Sequence, residues 1–95
     1  VVDEISPSEK CVKYINPARE RIENNNDGYK LYVYIGTYYS KSKSACVTKY
    51  TESNLSPKEK RTNYYNEFTG EEMVSYPDGF EKSIKEFEEG LDLVR

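Results

Sequence analysis

The alternation of apolar and polar positions is clearest from Tyr29 to Thr37. There Leu31, Val33 and Ile35 alternate with Lys30, Tyr32 and Tyr34. A period of two built from high-β-propensity residues predicts a strand with one aliphatic and one aromatic face. Gly36 interrupts the run, and Tyr38-Tyr39 opens another short strand. Ser40 to Ser44 reads as a polar turn, and Ala45 to Thr51 as a further strand. Nearer the start, Cys11, Lys13 and Ile15 alternate with Val12 and Tyr14, which predicts a first strand after an irregular arm over residues 1–10. Asn16-Pro17 ends that strand, because proline has no N–H for a ladder and biases Asn16 away from helix. Asn16 can then cap a short helical turn over Pro17 to Ile22, and Asn24 to Gly28 forms a turn.

The second half follows a helical pattern. Ser56-Pro57-Lys58-Glu59 has the spacing of a capping box, which predicts a helix over 57–68 with Gly70 as its left-handed stop. Glu72 to Tyr76 reads as a strand closed by the turn Pro77-Asp78-Gly79. Phe80, Ile84, Phe87 and Leu91 recur at helical spacing and give an apolar stripe. The organisation expected is therefore an arm at 1–10, a β core at 11–76 that includes the helix 57–68, and an amphipathic helical extension at 77–95. That last helix needs an apolar partner. Either it covers the aromatic face of the 29–37 strand, or that face stays exposed.

Composition narrows the chemistry. The chain has 95 residues, a net charge of −3 and no histidine. Imidazole-based nucleophile activation and His-ligated metal sites are therefore excluded. No apolar run is long enough to span a membrane, and no basic block offers a nucleic-acid footprint. Glu71-Glu72 and Asp78 are the remaining carboxylates that suit acid–base work, in a chain with little room for a substrate cleft. The first half is slightly basic and the second acidic, as expected of a solvated helix surface. Ten tyrosines supply large, partly apolar side chains to a domain poor in Leu, Ile, Val and Phe.

Two cysteines, Cys11 and Cys46, are too few for a zinc site and lack the CxxC spacing of redox catalysts. They read as one structural disulfide in an exported, mature chain, which would stabilise by roughly 3–4 kcal/mol in the chain-entropy model. Two buried reduced thiols are the alternative. Tyrosine is favoured at binding hot spots, so Tyr32, Tyr34, Tyr38 and Tyr39 are the candidate protein-binding residues. Tyr64-Tyr65 with Phe68 are assigned to core packing, and Asn54-Leu55-Ser56 is an incidental glycosylation sequon.

The run Lys30-Leu31-Tyr32-Val33-Tyr34-Ile35-Gly36-Thr37, followed by Ser44-Ala45-Cys46, resembles the centre of a MAX effector. These are small secreted proteins of plant-pathogenic fungi. The resemblance spans about residues 10–51, with Cys11 and Cys46 in the order and approximate spacing of the family's cysteine pair. It implies a mainly β fold, a small two-sheet antiparallel β-sandwich of about six strands, here with a partly helical C-terminal extension. It also implies a secreted monomer without cofactor or catalysis, translocated into host cells. Such a protein binds host plant proteins, heavy-metal-associated domains among them, and is recognised by NLR immune receptors. A disulfide-stapled binder or inhibitor from another pathogen or parasite is the alternative.

Overall fold

The computed structural model describes residues 7–26, 28–55 and 58–94. Helix α1 (Pro7–Glu23) is followed by four strands in sequence, β1 (Lys30–Ser40), β2 (Ala45–Leu55), β3 (Lys58–Asn66) and β4 (Glu71–Pro77). Helix α2 (Glu81–Leu91) and a two-residue strand β5 (Leu93–Val94) complete the chain. The strands form one antiparallel sheet in the order β4-β3-β2-β1-β5. The fold is thus mainly β, as expected. A second sheet and a sixth strand are not found among the described residues.

The break expected at Gly36 is only a bulge inside the continuous strand β1, which also includes Tyr38 and Tyr39. Two elements differ outright from expectation. Residues 11–15 are helical, not a strand, and so is the end of the segment assigned to the arm. Cys11, Ala18 and Ile22 are buried and Tyr14 and Ile15 half-buried, so the apolar positions of 7–23 recur at helical spacing. A five-residue window cannot separate that stripe from a period of two. Pro17 lies inside the helix, where its ring removes one backbone hydrogen bond. The second correction is the helix expected over 57–68. Lys58–Asn66 is instead strand β3, hydrogen-bonded between β2 and β4, so two ladders override the polar, helix-compatible composition. Ser56 and Pro57 of the expected capping box lie outside the described residues, as do 1–6 of the arm and Asp27 of the first turn. Gly70, at φ 75°, closes the β3–β4 hairpin rather than a helix. Its N–H donates to the Asn66 carbonyl at 2.9 Å.

The sheet lies between the two helices. Strand residues alternate faces, so Cys46 turns toward α1 and Val47 toward α2. On the α1 side, Cys11 and Cys46 form a disulfide with Cα atoms 5.6 Å apart. On the α2 side Val47, Tyr64 and Leu91 are buried together, with Met73, Val74, Tyr76, Ile84, Phe87 and Leu93 packed around them. The Phe87 ring lies 4.9 Å from Tyr64 and 6.0 Å from Tyr76. Ile84, Phe87 and Leu91 of the stripe read from the sequence therefore pack against β2, β3 and β4, whereas Phe80 is exposed. The buried Ser40 hydroxyl fixes the end of α2 by donating to the Leu91 carbonyl at 2.6 Å. The molecule is elongated, 56 × 29 × 20 Å, with long β1 and β2 strands.

Candidate functional site

β1 is an edge strand along most of its length. β5 pairs only with Tyr39 and Ser40. From Lys30 to Tyr38 no strand among the described residues covers its outer side. The Leu55 N–H donates to the Tyr29 carbonyl at 3.0 Å. That bond sets the alternation of the ladder, so the N–H and C=O groups of Lys30, Tyr32 and Tyr34 point away from β2. One of these outward groups is already guarded: the Tyr32 N–H donates to the Asn26 side-chain oxygen. A side chain that caps an edge N–H is one way a sheet avoids indiscriminate pairing. A bulge between Tyr34 and Gly36 ends the regular register at Ile35.

The two faces of β1 carry different chemistry. Tyr32, Tyr34 and Tyr39 lie on the α1 side and are partly buried. The Arg19 guanidinium sits 5.2 Å from the Tyr34 ring centre and the Lys10 ammonium 5.6 Å from that of Tyr39. The Tyr34 hydroxyl and Thr37 Oγ1 are 2.8 Å apart, and Thr37 continues the chain to Thr48 at 2.9 Å. Tyr38 lies on the other face and folds back across Gly36. A Cβ at Gly36 would fall 2.5 Å from the Tyr38 hydroxyl, so the ring needs the bare glycine to lie where it does. The four candidate tyrosines are therefore divided, three beside α1 and one opposite.

The aromatic face is covered in part, by the N-terminal helix and not by the C-terminal one. The aliphatic face is the open one: Leu31, Val33 and Ile35 are 43–48% exposed and Leu55 is 65% exposed. Leu31 and Val33 pair with Ser53 and Thr51, and Leu55 follows on the same face of β2. They form an aliphatic row that α2, seated over Val47 and Tyr64, leaves uncovered. Alternation separates the two rows of β1 but does not decide which of them a helix covers.

A cavity of about 320 Å³ opens beneath the end of α1, walled by Arg21, Tyr32, Tyr50, Tyr65, Glu52 and Glu72. The Tyr32 and Tyr50 rings are 6.3 Å apart and inclined at 46°. The Arg21 guanidinium lies 4.3 Å from the Tyr65 ring centre and donates two hydrogen bonds to Glu67, at 3.1 and 2.8 Å. The Glu67 hydrogen bond raises the Arg21 pKa above its ordinary value. The Tyr50 hydroxyl donates to Glu72 at 3.2 Å. Its ionisation is pushed well above the usual phenol range, first by burial and then by the charge of Glu72. The consecutive Glu71 and Glu72 project from opposite faces of β4, while Asp78 lies beyond its far end. These carboxylates do not converge on one cleft. Among the described residues no group of three His, Cys, Asp or Glu side chains is placed to hold a metal, and no helix is long and apolar enough to cross a membrane.

Compared with protein-family models, with curated proteins and with solved structures, the chain matches none of them.

Proposed function

We propose that this chain is an exported protein-binding module that takes an extended segment of another protein along the edge of β1, without catalysis. The observation that carries the reading is the coincidence of two features on one strand. The outer side of Lys30–Tyr38 lacks a strand neighbour among the described residues, and the Leu31, Val33 and Ile35 side chains beside it are exposed. An added strand would draw affinity from main-chain bonds and selectivity from the alternate side chains it lays on the aliphatic row. Tyr32 and Tyr34 line the opposite face of the same edge, and Tyr38 and Tyr39 its far end. The disulfide supports an oxidising, extracellular destination.

The resemblance to MAX effectors supplies the class of partner. On that reading the protein is a secreted fungal virulence factor. It acts as a monomer on a host plant protein, in the first instance a heavy-metal-associated domain, and is open to recognition by an immune receptor. The two-sheet, six-strand plan of that family belongs to this proposal, beside the single five-stranded sheet described above.

The test is a titration of the isotope-labelled protein with a purified heavy-metal-associated domain. Amide shifts are expected along Lys30–Tyr38, together with methyl shifts at Leu31, Val33, Ile35 and Leu55. Val33→Asp and Ile35→Asp should each weaken binding by about 10-fold or more while leaving the thermal midpoint nearly unchanged. Asn26→Ala, which frees the Tyr32 N–H for the incoming strand, should strengthen it. A footprint confined to α2, or aspartate variants that bind normally, would overturn the edge reading. The absence of any shift would remove this partner.

A further inference from the structure

We propose that the cavity beneath the end of α1 binds an organic cation, an alkylated or quaternary ammonium group, held among the rings of Tyr32, Tyr50 and Tyr65 and the carboxylates of Glu52 and Glu72. This inference does not rest on the β1-edge reading: it shares Tyr32 with that edge but concerns a concave site on the α1 side of the sheet.

Three features point to a cation. First, three tyrosines line the space, beside Arg21, Ile22, Asn25 and the two glutamates. A tyrosine ring presents a negative face, and several such faces around one space are the recurring answer to a poorly hydrated cation. The Tyr65 wall already holds one, the Arg21 guanidinium at 4.3 Å. Second, the charge that accompanies Arg21 is balanced from outside the cavity wall. Glu67 meets the guanidinium through both carboxylate oxygens, and its side chain is only 4% exposed. Lys30 lies 3.5 Å from Glu52 and offsets that carboxylate. Glu72 is left with the neutral Tyr50 hydroxyl as its hydrogen-bond partner among the described residues. The group of ionised side chains thus carries one surplus negative charge, next to three rings. Burial is the first cause of the raised Tyr50 pKa, and the charges of Glu72 and Glu52 add to it. Third, the size fits. At about 320 Å³ the cavity lies at the small end of the ~300–1,000 Å³ range of small-molecule sites, suited to a compact headgroup.

A neutral apolar ligand would leave the Glu72 charge uncompensated, and an anion would meet it directly. An ammonium group ringed by methyl groups answers both the rings and the carboxylate. Such a group has two sources: a free small molecule, or an alkylated lysine side chain on a protein.

The experiment uses the intact, disulfide-bonded protein. Choline and its neutral isostere, in which a quaternary carbon replaces the nitrogen, are titrated separately while the tyrosine ring resonances are followed. Choline should move the Tyr32, Tyr50 and Tyr65 signals saturably and bind at least ~5-fold more tightly than the isostere. Glu72→Gln should weaken choline by about 3–10-fold, and Tyr32→Leu, which keeps an apolar strand residue but removes the ring, by a similar factor. Both positions are on the sheet surface, so retention of the wild-type β-sheet amide pattern separates lost binding from lost folding. A peptide bearing trimethyl-lysine distinguishes the sources. Binding much tighter than choline assigns the site to a protein side chain, and comparable binding to a free small cation. Equal affinity for choline and its isostere, or no ring shift with choline at tens of millimolar, would overturn the proposal.

Discussion

Removing the Cys11–Cys46 bridge should release α1 from the sheet before the sheet itself unfolds. The bridge joins residues 35 apart in sequence. Closing a loop of that length removes about 4 kcal/mol of unfolded-chain entropy in the chain-entropy model. The rest of the attachment combines a few buried apolar side chains with cation–ring contacts from Lys10, Arg19 and Arg21 to Tyr39, Tyr34 and Tyr65. Apart from Cys11, the buried hydrophobic residues among the described side chains of α1 are Ala18 and Ile22. They are helped by the Tyr14–Phe68 contact at 5.7 Å and the Arg21–Glu67 pair. A 17-residue helix with Pro17 inside it is marginal without tertiary support. The variant Cys11→Ala with Cys46→Ala is therefore expected to lose about 4 kcal/mol. Unfolding entropies near 2 cal/mol/K per residue make that a fall of about 20 °C in the midpoint of a domain this size. Calorimetry measures the loss and native-state hydrogen exchange locates it. Amides from Ala18 to Glu23 should lose protection well ahead of those in β2 and β3. A loss below about 1 kcal/mol, with α1 protected as in the parent, would refute the reasoning, because the helix would then be held by its own packing.

Two further substitutions probe buried polar groups. Tyr64 is fully buried and its hydroxyl has no hydrogen-bond partner among the described residues. Tyr64→Phe should therefore change stability in urea by less than about 0.5 kcal/mol, against about 3–5 kcal/mol for Tyr64→Ala; a loss above about 1.5 kcal/mol on removing the hydroxyl would mean it holds a real bond. Burial and Glu88 raise the Tyr64 pKa above its ordinary 10.0. Its contribution is thus complete below that value and declines as the pH rises above it, a decline the Phe variant should lessen. Arg21→Ala should cost about 2 kcal/mol by stranding the Glu67 carboxylate, even after allowance for the partial exposure of Arg21. Arg21→Lys should recover less than half of that, since an ammonium cannot make the paired bonds to both oxygens. Equal stability of the Lys variant and the parent would count against the bidentate geometry.

What the sequence reveals, and what it hides, follows the range of the interactions involved. β1, β2, the polar turn between them and α2 are legible because each is decided by a local period and its punctuation. The cysteine pair is legible as a disulfide, but the element that carries Cys11 is not. Seeing α1 needs the whole stripe from Cys11 to Ile22, and Pro17 argues against it at close range. β3 is hidden for the opposite reason: Lys58 to Asn66 has little strand character of its own and is a strand because β2 and β4 hydrogen-bond to either side. The candidate surfaces depend on still longer relations. Alternation shows that Leu31, Val33 and Ile35 oppose Tyr32 and Tyr34, yet it is silent on which row a helix will cover. Glu52 and Glu72 are twenty residues apart and look unrelated. Pairing of Tyr50 with Asn63 and of Tyr65 with Glu72 sets them on one face, beside the same rings. A one-residue slip of β3 against β2 would turn Tyr65 and Glu72 to the α2 side and dismantle the cavity. The register of the sheet is therefore what joins those two carboxylates into one site.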